Sequence, residues 1–340
     1  SINFSLDDQY IFYSKLDENH RPRSIFRHQI GSSVNEDLLI FEEKTKAFTV
    51  SIGISSDEKY YFINSSDHNT SEKYYFGIDE KKPKPKLIQQ RKKGIIYSVN
   101  SWGGNFYMHT NEDAEDFKIL ISNNIESKVW ETYIPSQSET MIGNLTFLNN
   151  WQIRSELRNA LDKIYVQNLK TNKEEEIIFT EETVYDSSVS LMQRDRNTDD
   201  IYISYSTPKT PSRTFIYNLK TKEKKLVKEQ IIPSGHNSND YIVERLECEG
   251  HDGRIIPITI TRKKTTKLDG NSNLLLYGYG SYGNSMWPSF SSTRLSLINR
   301  DIIWATAHIR GGMERGMKWW KEGKLSLIHI SEPTRLPPIS

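Results

Sequence analysis

Between Gly278 and Gly283 the chain reads GYGSYG, three glycines that let a backbone turn sharply or approach a ligand closely, interleaved with two tyrosines. The run satisfies the dinucleotide pattern G-x-G-x-x-G, follows an apolar stretch, and has Asp301 about 20 residues on, where a ribose-binding acid would stand. Two features weigh against that chemistry. The pattern should open a helix whose N-terminus holds the pyrophosphate, whereas NSMWPSF follows with Pro288 keeping the chain extended, and Asp301 precedes its strand instead of ending one. Other chemistry-bearing residues are sparse. The eight histidines form no H-E-x-x-H or comparable ligand cluster, so no metal site and no cofactor is expected. Cys248 is the single cysteine and reads as a packing residue, because no base is identifiable beside it. No G-x-S-x-G nucleophile elbow occurs anywhere in the 340 residues.

The elements around the glycine run must position it. Leu274 to Tyr277 reads as a short, fully buried strand, Ser291 to Arg300 as a helix, and Ile302 to Ile309 as a second apolar strand. Strand, glycine turn, helix, strand is the opening of an α/β layer. Upstream, YIVERLECEGHDGRIIPITITRKK (241 to 264) has two alternating apolar strands around Asp252-Gly253, a pair suited to a hairpin turn, and residues 264 to 273 form a polar linker.

Residues 1 to 246 repeat loosely. Strands rich in aromatic and β-branched residues come in pairs across polar turns: 10–14 with 24–30, 60–64 with 73–79, 105–109 with 117–122, 145–149 with 163–171, and 201–206 with 214–221. The period is roughly 40 to 55 residues, the length of a four-stranded propeller blade. NLKTNKEEE (168 to 176) echoed in NLKTKEKKL (218 to 226) is the clearest repeat, and five blades are expected. An open β-sandwich with long loops is the alternative, though its strand spacing is shorter and less modular. Runs such as EKKPKPK (80 to 86) are solvated edges that discourage aggregation.

Composition bounds the partners. A formal net charge of +1 and 36% hydrophobic residues describe a folded chain with no global attraction to nucleic acid or to an anionic membrane. No apolar run approaches the roughly 20 residues that cross a bilayer. One cysteine forms no internal disulfide, which agrees with a cytoplasmic location. The first residue is Ser, and no signal peptide is visible.

Four blocks fall in an order that carries a family resemblance: RPRSIFRHQIG (21 to 31), DGRIIP (252 to 257), YGYGSYG (277 to 283) and AHIRGGMERGMKWWKEGK (307 to 324). Together they resemble the prolyl oligopeptidase family, most closely its oligopeptidase B branch. The resemblance implies a mainly β fold, part of a seven-bladed β-propeller (residues 1 to 242) followed by the N-terminal part of an α/β-hydrolase catalytic domain (243 to 324). It implies hydrolysis of short peptides, after Arg or Lys, through a serine acyl-enzyme. By position Tyr279 would supply its phenol hydroxyl to the oxyanion, and Tyr282 would flank the P1 pocket. A tyrosine packed by its ring, with its hydroxyl capped locally, is the plainer reading of Tyr279 from the residues alone. All three triad members lie beyond the WWKEGK block in the family, so none is assigned and the chain as given is expected to be inactive. His308 reads as a strand-end residue, His28 as a family marker without a catalytic task, and Arg310 and Glu314 as buried or interface ion-pair residues. The competing function is a propeller interaction module without catalysis.

The sequence departs from the family in places. Trp287 and Ser289 stand where some bacterial relatives carry paired acids, and Met313 replaces a usual glycine. After Lys324 the resemblance stops: LSLIHISEPTRLPPIS (325 to 340) resembles translated sequencing-adapter read-through, and on that reading the chain is a fragment truncated at both ends.

Overall fold

The computed structural model describes residues 1–179, 182–192 and 194–324, and the tail at 325–340 lies outside them. It divides into two units, Ser1–Ser136 and Gln137–Ser340. Among the described residues are six four-stranded sheets, three in each unit.

The first unit holds three antiparallel meanders whose strands pair in chain order. They comprise Ile2–Phe4, Tyr10–Leu16, Pro22–Gln29 and Leu38–Glu42; then Thr49–Ile54, Tyr60–Ser66, Ser71–Gly77 and Lys86–Gln89; then Tyr97–Trp102, Asn105–Thr110, Lys118–Ser122 and Glu131–Ile134. Alternation along each strand turns one row of side chains inward. Phe12, Ile25, Val50, Ile52, Tyr61, Ile63 and Phe76 meet in one buried cluster that joins the first two sheets. Between the sheets, Arg91 bridges the buried carboxylates of Glu43 and Glu72, each at 2.8 Å. His28 meets Asp37 at 2.7 Å, and the Tyr13 hydroxyl donates to the same carboxylate at 2.6 Å.

The second unit opens with two further meanders. These are Thr140–Leu148, Trp151–Arg158, Leu161–Asn168 and Glu174–Glu176, followed by Asp186–Ser190, Asp200–Ser206, Arg213–Asn218 and Lys224–Glu229. Leu148, Ile153, Ile164, Val166, Ile201 and Ile203 form their shared core. One expected pairing is corrected here: 145–149 does not pair with 163–171, because Trp151–Arg158 lies between them and pairs with both neighbours. That strand is buried on both faces, Trp151 and Ile153 lying on one and the polar row Gln152, Arg154 and Glu156 on the other. The charges are satisfied locally, Arg154 donating to Glu156 at 2.8 Å and to Glu174 at 2.8 and 3.1 Å.

The sixth sheet is mixed. Its strands are β1 (Tyr241–Glu249), β2 (Ile255–Lys263), β3 (Leu274–Gly278) and β4 (Ile303–Ala307), in the order β1-β2-β4-β3. β1 and β2 make the expected hairpin, closed by Gly250 N–H to Arg254 O at 2.8 Å. β3 and β4 run parallel, joined through helix α1 (Ser292–Ile298), which Ser291 caps by accepting the Arg294 N–H. Leu295 and Ile298 of α1 pack on Tyr241, Phe290 and Trp304. Helix α2 (Gly316–Glu322) follows and buries Met317, Trp319 and Trp320. β3 is not the fully buried strand expected from its leucines. It is the edge of the sheet, with Leu274 and Leu276 each 53% exposed. Cys248 likewise is exposed on β1, where a packing role was expected.

Candidate active site

The glycine turn leaves β3 and runs directly against the segment that leaves β4. A Cβ on Gly280 would fall on the carbonyl oxygen of Arg310, and one on Gly311 would fall on the carbonyl oxygen of Gly280. Two backbones this close leave no volume for a side chain on either, and Gly311 also has φ +99, in the left-handed region. Three hydrogen bonds then stitch the segments together. Gly283 N–H donates to Gly311 O at 2.9 Å, Met313 N–H to Ser285 Oγ at 3.2 Å, and Met286 N–H to Glu314 Oε1 at 2.7 Å.

On this braced turn the two tyrosines face outward. Tyr279 is 38% exposed and Tyr282, at φ +57, is 71% exposed. Among the described residues the Tyr279 hydroxyl makes no hydrogen bond, so it is free to donate to a ligand. Trp287 is also part-exposed nearby in the chain, while Tyr277 packs its ring against Trp304 at 5.9 Å between centroids. The turn does not open a helix. Helix α1 begins only at Ser292, and Asp301 sits before β4 at φ +61, where it accepts from Thr266 Oγ1 at 3.5 Å and lies 3.9 Å from Lys263. A pyrophosphate cradle with a ribose acid is therefore not built here.

Behind the turn lies a buried polar group that sequence reading did not assemble. His308 and Glu314 are both fully buried. Arg245 of β1 donates through Nη1 to His308 Nε2 at 3.0 Å and to Thr259 Oγ1 at 2.8 Å, and through Nη2 to Asn159 O at 2.6 Å. Guanidinium can only donate, so His308 Nε2 is the acceptor and the ring proton sits on Nδ1. Burial and the neighbouring Arg245 charge push the His308 pKa down to about 3, which keeps the ring neutral. Burial pushes the Glu314 carboxyl up to about 7 against the pull of the Met286 N–H and Arg245. Burial also lowers Arg245 to about 10. Arg245 Nε, His308 Nδ1 and Glu314 Oε2 are buried without a protein partner among the described residues.

Arg310, expected in an ion pair, meets Asp252 of the β1–β2 turn at 2.5 Å. Glu314 differs from that expectation, since among the described residues it makes no ion pair and its partner is a backbone N–H. Its own carbonyl accepts Ala160 N–H at 2.8 Å, which ties the site to the tip of the hairpin between Trp151–Arg158 and Leu161–Asn168. Arg315 reaches Glu139 at 2.8 Å and the Ile255 carbonyl at 2.9 Å. Among the described residues no three His, Cys, Asp or Glu side chains converge as a metal would require, and no helix is long and apolar enough to cross a membrane.

The family model described as prolyl oligopeptidase, N-terminal beta-propeller domain, matches residues 2–230. The chain belongs to the prolyl oligopeptidase family. Its five antiparallel meanders are blades of a β-propeller, and the mixed sheet is the opening of an α/β-hydrolase domain. The family chain is 33% identical over 318 residues to Protease 2 of Moraxella lacunata, covering 93% of itself and 45% of that protein. It is 30% identical over 335 residues to dipeptidyl aminopeptidase BI of Pseudoxanthomonas mexicana, covering 96% and 45%. Among solved structures, oligopeptidase B from Trypanosoma brucei with covalently bound antipain, in a closed form, superposes with a TM-score of 0.89 at 26% identity, covering 95% of this chain and 47% of that one. This prolyl oligopeptidase family member thus spans about half the length of the relatives it matches.

Proposed function

We propose that this chain supplies part of the propeller and the oxyanion side of a serine oligopeptidase that hydrolyses short peptides after Arg or Lys through an acyl-enzyme. The observation that carries the reading is the Tyr279 hydroxyl, held on a rigid glycine turn at the sheet edge and free to donate. An oxyanion donor must be fixed before the reaction and must not already be spent on a protein acceptor. Tyr282, exposed on the same turn, would flank the P1 side chain. The nucleophile, acid and base would come from sequence other than these 340 residues, which contain no G-x-S-x-G. Residues 1–242 would be the propeller part and 243–324 the hydrolase part. The working compartment would be the cytoplasm, and neither nucleic acid nor a membrane is part of the reading. The protein named Protease 2 and the oligopeptidase B that binds antipain covalently support the peptidase class.

The test is hydrolysis by the full-length protein that carries this chain. Chromogenic peptides ending in Arg or Lys should be turned over, and a serine-reactive fluorophosphonate should stop the turnover. A full-length protein that folds but cleaves none of them would favour a propeller that only binds partners.

A further inference from the structure

A carboxyl group that is fully buried and carries no ion pair is costly, because a neutral side chain of the same shape would fill the space without losing hydration. Glu314 is such a group, and what it holds is the Met286 N–H, at 2.7 Å. Met286 lies just beyond the turn of Tyr279 and Tyr282, and Glu314 closes the row of bonds that begins at Gly283 and Gly311. Room is kept for it: a Cβ on Gly312 would fall on Glu314 Oε2. Its backbone carbonyl also holds Ala160, a buried residue at φ +57 on the tip of a propeller hairpin, while Arg245 holds the carbonyl of Asn159 beside it. One residue therefore touches both the tyrosine-bearing loop and the propeller.

We propose that Glu314 is a positioning residue for the oxyanion donor: through the Met286 N–H it fixes the loop that carries Tyr279, and through its carbonyl it references that loop to the Asn159–Ala160 hairpin tip. The proposal rests on the reading of Tyr279 given above. Glu314 itself touches no reacting atom. Its effect passes through the placement of the Tyr279 hydroxyl, and misplacing a reacting group by about 1 Å can cost on the order of 100-fold.

The experiment is a double-mutant cycle in the full-length protein, with kcat and melting temperature measured on each preparation. Glu314→Leu should lower kcat by about 10 to 100-fold when Tyr279 is present and by less than about threefold in the Tyr279→Phe background, because the donor it places is already gone. Glu314→Gln should restore most of the loss, since its amide oxygen can still accept from Met286. A folded Glu314→Leu enzyme with unchanged kcat, or an equal loss in both backgrounds, overturns the proposal. If the Leu variant does not fold, Glu314→Gln carries the test through hydrogen exchange: Met286 should stay protected and kcat nearly intact, and a large loss of kcat with Met286 still protected overturns it. The two ideas fail differently. If Tyr279→Phe lowers kcat and Glu314→Leu does not, only the positioning role falls, whereas an unchanged kcat in Tyr279→Phe removes the donor and the proposal together.

Discussion

The carbonyl oxygen of Gly280 occupies the place where a side chain on Gly311 would have to begin. The contact joins the YGYGSYG and AHIRGG blocks, which lie on either side of helix α1 in the chain, and it explains why both carry glycine. Gly311→Ala meets two penalties at once, a left-handed φ and a clash with backbone that cannot rotate away. Gly270 has a similar φ of +84 but nothing within 4 Å of a Cβ. The expected cost is about 1 kcal/mol for Gly270→Ala and about 3 kcal/mol or more for Gly311→Ala. Chemical denaturation of the two variants measures the gap, and equal costs would show that the close approach is not rigid.

The buried carboxyl of Glu314 makes stability depend on pH with a definite sign. Its folded pKa is raised from 4.5 to about 7, so the folded state holds the proton more tightly than the unfolded one. The stabilisation is fully present below about pH 4.5 and is lost as pH rises through about 7. His308 runs the other way: lowered from 6.5 to about 3, it contributes stability above pH 6.5 that is lost as pH falls. Glu314→Gln isolates the first effect. The wild type should lose about 3 kcal/mol relative to this variant between pH 4.5 and pH 8. A constant difference across that range would mean that the Glu314 pKa is not raised in the folded state.

Asp162 gives a second, separable case. Burial and the neighbouring Asp186 push its carboxyl up to about 7, although it accepts the Ser187 N–H at 2.8 Å. Above that pH two carboxylates must share a half-buried site. Asp162→Asn keeps an acceptor for Ser187 and removes one charge, so it should stabilise the protein by about 1 to 3 kcal/mol at pH 8 and by little at pH 4. Thermal melts at the two pH values decide it, and a gain of equal size at both would point to packing.

The purified 340-residue chain should show no turnover of Arg- or Lys-containing chromogenic peptides, since no acyl-enzyme route exists without a nucleophile. Fluorophosphonate-sensitive turnover by this chain would contradict the role given to residues outside it.

Most of the blade architecture was legible because aromatic and β-branched residues alternate along the middle strands of each meander. Trp151–Arg158 escaped notice because one of its two buried rows is Gln152, Arg154 and Glu156, whose burial depends on ion pairs that periodicity does not report. β3 misled in the opposite direction. Consecutive leucines suggested burial on both faces, yet the order β1-β2-β4-β3 places that strand at the edge. The glycine spacing marked the turn, and the parallel β3-α1-β4 unit followed from it. The cluster of Arg245, His308 and Glu314 was illegible for a different reason, since Arg245 lies on β1, His308 just past β4 and Glu314 in the loop before α2, and they meet only through tertiary packing. The sole available signal was Gly312 beside an acid, and that signal has meaning only once the Met286 contact is seen.

Tyr279→Phe is the most direct test of the catalytic reading in the full-length protein. The substitution removes one hydroxyl and keeps the ring, so packing of the turn is preserved. If the hydroxyl donates to the oxyanion, the lost bond exists mainly in the transition state. The expected fall in kcat is on the order of 10 to 1,000-fold, about 1.4 to 4 kcal/mol, with KM little changed. If Tyr279 served only to pack, the variant would keep both its kcat and its stability, because the ring stays in place and the hydroxyl has no protein partner among the described residues to lose. The exposure of the ring and the free hydroxyl argue for the first outcome, because a side chain 38% exposed has little packing energy at stake. Measuring kcat and melting temperature on the same preparation separates the two, and an unchanged kcat would withdraw the one catalytic role assigned to this chain.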